Sequence, residues 1–297
     1  MTILLTGASG LLGSALTGEL TMVAPVVAGT HQRDLHSHRS IPLNVDDPSS
    51  VALALDSVAP SICVHGAAMT SARACEQDPS AAWRVNAMGT FNLAAACATR
   101  RVKLVFISTQ YVFPGDSSQP YDEGDAPRPL QTYGMTKWMG ERATADTPKN
   151  LIVRIPTLYR MPARAHDKGL VGATLTALAR DEPIAINDRE TLTPTEVGEA
   201  AQIIARLIQR EVRGVVHVAA QESIGPREWA GLIARAHGAE RCEFVEKEDP
   251  TRRPSHAVLA VRRLAELGID PPTAVHARFR AACAVRNSLS GRGLCKM

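Results

Sequence analysis

Ile3, Leu4 and Leu5 form a short apolar run that leads directly into Thr6-Gly7-Ala8-Ser9-Gly10-Leu11-Leu12-Gly13, and a helical pattern then continues through Leu16 and Leu20. An apolar run without alternation suits a strand buried on both faces of a parallel sheet. Strand, glycine turn and helix in that order is the opening of a doubly wound α/β fold. Gly7 allows the tight turn, Gly10 lets backbone approach a pyrophosphate, and Gly13 lets helix and strand pack closely with the helix N-terminus facing the anion. Ser9, Leu11 and Leu12 complete the candidate cofactor contacts of this turn. The GxxGxxG spacing is one residue looser than the commonest dinucleotide fingerprint, and a plain glycine-rich turn is the competing reading.

A second apolar run, residues 23–28, predicts the next strand, at whose end an adenosine ribose would lie. The chain there reads Gly29-Thr30-His31-Gln32-Arg33, with no Asp or Glu. An acid would bind both ribose hydroxyls and repel a 2′-phosphate, whereas Arg accommodates it. The expectation is NADP(H) over NAD(H), with Arg33 as principal contact and Thr30 and His31 as secondary ones; a solvated loop charge is the alternative for Arg33. His36 and His38 flank a serine in this loop, and without further ligands no metal site is expected.

Apolar and amphipathic stretches alternate further along, as a doubly wound sheet requires. Helices are predicted over 51–58, 81–98, 169–180, 196–209 and 227–237, and strands over 61–64, 104–107 and 214–219. Trp229 reads as core. The small residues of His65-Gly66-Ala67-Ala68 would let a cofactor lie against backbone, and the strand ending at Thr109 delivers that hydroxyl to the same rim. The tail, 287–297, has no apolar period and reads as frayed.

At 297 residues and 45% apolar, the chain can build one large domain or two intimate ones. A net charge of +3 with scattered basic residues and 4% aromatics argues against nucleic acid. Six cysteines without a CxxC pair read as reduced thiols of a cytoplasmic protein. No apolar stretch reaches membrane-spanning length.

Chemistry concentrates in Thr132-Tyr133-Gly134-Met135-Thr136-Lys137. Positions i and i+4 share a helix face, so the ammonium of Lys137 can sit beside the phenol of Tyr133. A nearby cation favours phenolate and lowers a pKa that is otherwise about 10. A tyrosine so tuned exchanges a proton with an alcohol or carbonyl oxygen, and the Thr109 hydroxyl would hold that oxygen.

The segments TGASGLLG, LNVDD, HGAAMT, CEQDP, RVNAMGT, STQYVFPG, PYDEGDAPRPLQTYGMTKWMGE, TPT and RRPSHAVL follow one another between residues 6 and 259. With them the chain resembles the extended short-chain dehydrogenase/reductases, and most closely their dTDP-4-dehydrorhamnose reductase branch. The resemblance implies a Rossmann-type sheet with a smaller C-terminal substrate-binding domain. Residues 1–158, with later contributions near 190–219, would bind NADP, and 159–297 would mainly hold substrate. It implies a catalytic triad of Thr109, Tyr133 and Lys137, with Tyr133 and Lys137 also contacting the cofactor. Asn44 and Val45 would lie by the adenine and Ala67 and Ala68 along the cofactor, while Asn86 braces the site. The implied activity is NADPH-dependent reduction of a ketone on a nucleotide sugar or related oxygenated small molecule. A sugar-nucleotide epimerase and an NADP-binding regulatory subunit, resembling the beta subunit of methionine adenosyltransferase, are the alternatives. A homodimer through 81–98 and 133–145 is implied as well, although such small-residue faces serve equally as core.

The departures bear on substrate. Gln110 stands where the family usually has aspartate, and Gln110-Tyr111 replaces the acidic pair that dehydratases use for elimination. The family's strand after the triad carries a tryptophan against the sugar, where this chain has Thr157, and Arg160 replaces a glycine. The candidate substrate contacts are therefore Thr70, Tyr111, Thr157, Arg160 and, within Arg252-Arg253-Pro254, Arg253, whose guanidinium can bind an oxyanion bidentately. For Arg160, Arg164 and Lys168, and for the Arg252-Arg253 pair, plain surface charge is the other reading.

Overall fold

A computed structural model describes residues 1–31, 39–164, 167–239 and 241–290, with 285–290 described as helix backbone only. In chain order the strands are β1 (Ile3–Thr6), β2 (Val26–Thr30), β3 (Ser40–Pro42), β4 (Ile62–His65), β5 (Lys103–Thr109), β6 (Leu151–Ile155), β7 (Leu158–Tyr159), β8 (Ile184–Ile186), β9 (Thr195–Glu196), β10 (Gly214–His217) and β11 (Phe244–Glu246). The α-helices are α1 (Leu11–Thr21), α2 (Pro48–Val58), α3 (Ala72–Gln77), α4 (Pro79–Ala82), α5 (Gly89–Thr99), α6 (Thr132–Ala145), α7 (Gly169–Ala179), α8 (Val197–Gln209), α9 (Pro226–Ala236), α10 (Arg262–Glu266) and α11 (Val275–Ser290).

Seven parallel strands form the sheet in the order β10-β6-β5-β4-β1-β2-β3. The central strands β1, β4 and β5 bury both faces, which is why they read as apolar runs. Alternate residues feed opposite layers. Leu4 stands in register with Val27 and Cys63, and Cys63 with Leu104; this row packs with Val51, Leu55 and Leu93 from α2 and α5. Ile3, Leu5, Val64, Val105 and Val153 face the other way, onto Leu16 and Leu20 of α1 and Ile204 and Leu207 of α8. Each such leucine contributes about 1.5–3 kcal/mol by leaving water. The order reverses between β1 and β4, so a crevice opens above the carboxyl ends of those two strands.

The later part of the chain adds the short pairs β7·β9 and β8·β11 around a separate core of Tyr159, Trp229, Ile233 and Phe279. Trp229 is buried there, as its sequence context suggests. Several elements differ from expectation, among them β2, which begins at Val26 rather than 23 because the amides of Val23 and Ala24 turn back onto the Leu20 carbonyl. The helix over 81–98 is interrupted: a π-helical turn, Trp83–Met88, lies between α4 and α5, and neighbouring side-chain spacing does not signal such a turn. The tail is helical up to Ser290 rather than frayed from 287, because α11 docks through Val275 and Phe279 onto the second core.

Candidate active site

The N-terminal turn is as tight as its glycines suggest. Gly7 has φ +73°, and a Cβ there would stand 2.6 Å from the amide nitrogen of Ala67. At Gly13 a Cβ would come within 2.0 Å of the Gly7 carbonyl oxygen, so only glycine lets α1 start this close to β1. Gly10 caps α1 with no side-chain hydrogen bond, leaving backbone N–H groups and the positive end of the helix dipole for an anion. Ser9 and Gly10 are exposed and Leu11 and Leu12 half-buried at this opening. A glycine cradle against an uncapped helix start fits a dinucleotide pyrophosphate.

The remaining cofactor candidates surround the cradle. Ala67 donates its amide to Thr6 Oγ1 at 3.2 Å and is half-buried like Ala68. Thr30 closes β2, half-buried, and His31 beyond it is exposed. Asn44 donates its amide to Ser50 Oγ at 2.9 Å, and buried Val45 accepts from Asn92 at 3.0 Å. Arg33, His36 and His38 lie outside the described residues. Asn86, fully buried on the π turn, uses its whole amide within the protein: Oδ1 accepts from Met69 N at 2.8 Å, and Nδ2 donates to Met69 O at 3.1 Å and to Thr136 Oγ1 at 3.2 Å. Those bonds make it a brace between the 66–70 turn and α6.

Thr109 ends β5 on the carboxyl rim, and α6 brings Tyr133 and Lys137 to the same place. Gly134 makes this possible, since a Cβ there would sit 2.1 Å from the carbonyl oxygen of Tyr111. Tyr111 and Tyr133 consequently meet edge to face, ring centres 6.3 Å apart. Thr109 Oγ1 accepts the Tyr111 amide at 3.2 Å. The electrostatics run opposite to the sequence expectation. Burial pushes the Tyr133 phenol up to about 12, with the Thr109 hydroxyl working against that push as a hydrogen-bonding neighbour. Lys137 does not supply the expected acidifying charge. Its Nζ lies 3.9 Å over the Phe106 ring, and burial brings it down to about 7 despite the opposing pull of Glu141. A lysine whose charge burial disfavours gives a phenolate less support than a solvated ammonium would.

Behind the triad sits an ion pair that sequence reasoning missed. Glu141 and Arg154 pair at 2.8 Å, both nearly fully buried, and Ser108 donates to Glu141 at 2.5 Å. The available signal was the spacing, because Tyr133, Lys137 and Glu141 succeed one another at four-residue steps along one face of α6.

On the substrate side, Tyr111 donates to Glu190 Oε2 at 3.1 Å. Arg253 pairs with Glu190 at 3.2 Å and Asp249 at 2.9 Å, so its fork is already occupied by carboxylates. Glu190 was not anticipated, and a lone acid in a loop carries no local signal. Arg160 is tied to Asp167 at 2.9 Å. Thr157 is half-buried, its carbonyl held by Thr195 N at 3.0 Å, while Thr70 is exposed. A cavity of about 320 Å³ lies beside the N-cap of α6, lined by Arg73, Glu76, Gln131, Thr251 and Arg252 among others.

Comparison with known proteins agrees with this fold. Residues 1–285 match the family described as the RmlD substrate binding domain. A "probable low-salt glycan biosynthesis reductase" of Haloferax volcanii is 32% identical, over 90% of this chain and 93% of that protein. The dTDP-4-keto-6-deoxy-D-glucose reductase of Streptomyces niveus is also 32% identical, over 90% and 91%. Among solved structures, dTDP-4-dehydrorhamnose reductase of Bacillus anthracis in complex with NADP superposes with TM-score 0.82 at 26% identity, covering 95% of each chain. A match across nearly the whole length, on a fold whose rim gathers a threonine, a tyrosine and a lysine above a glycine cradle, shows that the chain belongs to the RmlD substrate binding domain family.

Proposed function

We propose that the protein reduces the keto group of a nucleotide sugar with NADPH. The observation that carries this is the convergence of Thr109, Tyr133 and Lys137 on the strand rim beside the uncapped start of α1. The cofactor would supply hydride to the carbonyl carbon; Gly7, Gly10, Gly13, Ala67 and Ala68 would hold it, and Lys137 would reach its nicotinamide ribose. Thr109 holds the carbonyl oxygen. Tyr133, kept protonated by burial at neutral pH, gives its proton to that oxygen as negative charge develops there. The absence of any acid at Gly29-Thr30-His31 supports NADPH over NADH.

Residues 1–158, with later contributions near 190–219, would bind cofactor, and 159–297 would mainly shape the substrate side. Tyr111 would line the sugar pocket, with Thr157, Thr70 and Arg160 around it. Because Arg253 is already paired, substrate phosphates would face Arg73 and Arg252 in the adjoining cavity, with Arg253 ordering that wall. Trp83, Met88, Phe91 and Met139, apolar and exposed on the π turn, α5 and α6, support a homodimer, and the enzyme would act in the cytoplasm; sedimentation of the wild type as a monomer would refute the pairing. Among the described residues no helix is long and apolar enough to cross a membrane.

The reading is tested by mixing the protein with dTDP-4-dehydrorhamnose or dTDP-4-keto-6-deoxy-D-glucose and following loss of NADPH absorbance, with NADH as control. Turnover with NADPH is expected. Failure with both sugars, or a strong preference for NADH, overturns it.

A further inference from the structure

His65, fully buried at the end of β4, has no part in the chemistry above, yet both of its ring nitrogens are engaged. Nδ1 lies 2.7 Å from Thr6 Oγ1, and Nε2 lies 3.1 Å from Thr90 Oγ1. Proton counting fixes the direction of each bond. The single hydroxyl proton of Thr90 goes to the carbonyl of Asn86 at 2.6 Å. Thr90 can therefore only accept from His65, and Nε2 must carry a proton. Burial, together with the nearby Lys137, holds the ring's pKa down to about 3 and keeps it neutral, which leaves Nδ1 a bare acceptor for the Thr6 hydroxyl. The remaining capacity of Thr6 Oγ1 accepts the Ala67 amide at 3.2 Å.

The result is one unidirectional chain: Ala67 N–H to Thr6, Thr6 O–H to His65, His65 Nε2–H to Thr90, and Thr90 O–H to Asn86. Both turns that bed the cofactor in our reading, the glycine turn after Thr6 and the Gly66–Ala68 turn, are joined at one end of it. At the other end stands the π turn whose Asn86 braces Met69 and α6. Phe106 lies against the same ring, centroids 5.6 Å apart, and carries Lys137 above it. No other single tautomer satisfies all four bonds.

We propose that His65 is a positioning residue: locked as the Nε2–H tautomer, it couples the two cofactor-bedding turns to the helix that holds Asn86, so that cofactor affinity depends on the integrity of the whole chain. The proposal rests on the cofactor assignment above. Its first test does not, because nitrogen NMR of the protein alone reports the tautomer. One bare and one protonated ring nitrogen are expected, the bare one being Nδ1, unchanged between roughly pH 5 and 8 where an ordinary histidine titrates. A protonated Nδ1, or titration in that window, overturns the lock.

The second test is NADPH affinity by fluorescence titration. His65→Leu, which loses both links, should weaken binding about tenfold. His65→Asn, which keeps an acceptor near the Nδ1 position but loses the Thr90 link, should recover part of that loss, down to the several-fold deficit of Thr90→Val, at a similar melting temperature. Thr90→Val cuts only the far end, away from the cofactor bed, and should weaken binding several-fold. Wild-type affinity in Thr90→Val, or equal loss in the Asn and Leu variants, overturns the coupling. Absence of NADPH binding by the wild type would refute the cofactor assignment instead, while the NMR result stands on its own.

Discussion

The floor of the site and its outer wall are held by different forces. The floor, from the glycine turn to Asn86, is built of close backbone contacts and neutral hydrogen bonds among fully buried groups, with His65 and Asn86 each satisfied by neighbours. Across the cleft, the wall is built of charge: Tyr111 on Glu190, Arg253 shared by Glu190 and Asp249, and Arg160 on Asp167. Neutral bonds in a dry interior are little affected by salt. The ion pairs, guanidinium groups about one-third exposed against nearly buried carboxylates, are screened in part. On the proposed reading, a closely packed, neutral bed would serve the coenzyme and a charged wall the substrate.

That contrast can be broken at several points, taken here from the largest effect down. Tyr133→Phe removes the proton donor but no part of the bed, so turnover should fall by about 10²–10⁴ with NADPH affinity nearly unchanged; undiminished turnover refutes the acid assignment. Lys137→Met should alter the pH profile of stability. The folded lysine sits at about 7 against an ordinary 10.5, so between those values the unfolded chain binds more protons than the folded one, and this group's contribution rises with pH. Tyr133, raised from 10.0 to about 12, acts oppositely only above about pH 10. The variant should therefore lose a rise amounting to a few kcal/mol, at about 1.4 kcal/mol per unit; a melting-temperature profile between pH 7 and 10 identical to wild type would contradict the buried lysine.

Gly13→Ala strikes the floor by sterics. With a Cβ 2.0 Å from the Gly7 carbonyl, it should cost about 1–3 kcal/mol in thermal unfolding and weaken NADPH binding at every ionic strength. Glu190→Gln strikes the wall. The KM for the nucleotide sugar should rise by about tenfold at low salt, corresponding to roughly 1–2 kcal/mol, and by less at high salt, with NADPH affinity unmoved. A salt-independent effect there would erase the distinction drawn above. Arg160→Ala removes a partly exposed pair and should change stability by less than about 1 kcal/mol, which a melting curve can check.

Much of the floor was legible in the chain. Continuous apolar runs marked β1, β2, β4 and β5 because both faces of a parallel sheet are buried. The glycines showed where backbone had to come close, and the four-residue step from Tyr133 to Lys137 put both on one face of α6. Other features were not legible. The π turn at Trp83–Met88 leaves no mark in side-chain spacing, and the helix up to Ser290 is stabilised by docking rather than by its own pattern. Glu190 meets Tyr111 across 79 residues of sequence and Arg253 across 63, so no local window contains the cluster. The acidic phenol expected at Tyr133 failed for a related reason: proximity along a helix is local, but desolvation depends on everything packed around it.

The sequence by itself determined the strand order's beginnings, the cradle and which candidate groups meet on the rim, since these follow from short-range periodicity and from what glycine, tyrosine and lysine can do. Only the tertiary structure decided the protonation of Tyr133 and Lys137, the tautomer of His65 and the pairing of Arg253. Those depend on burial and on partners brought together from distant segments, and free energies of charge in a dry interior are set by that assembled surrounding.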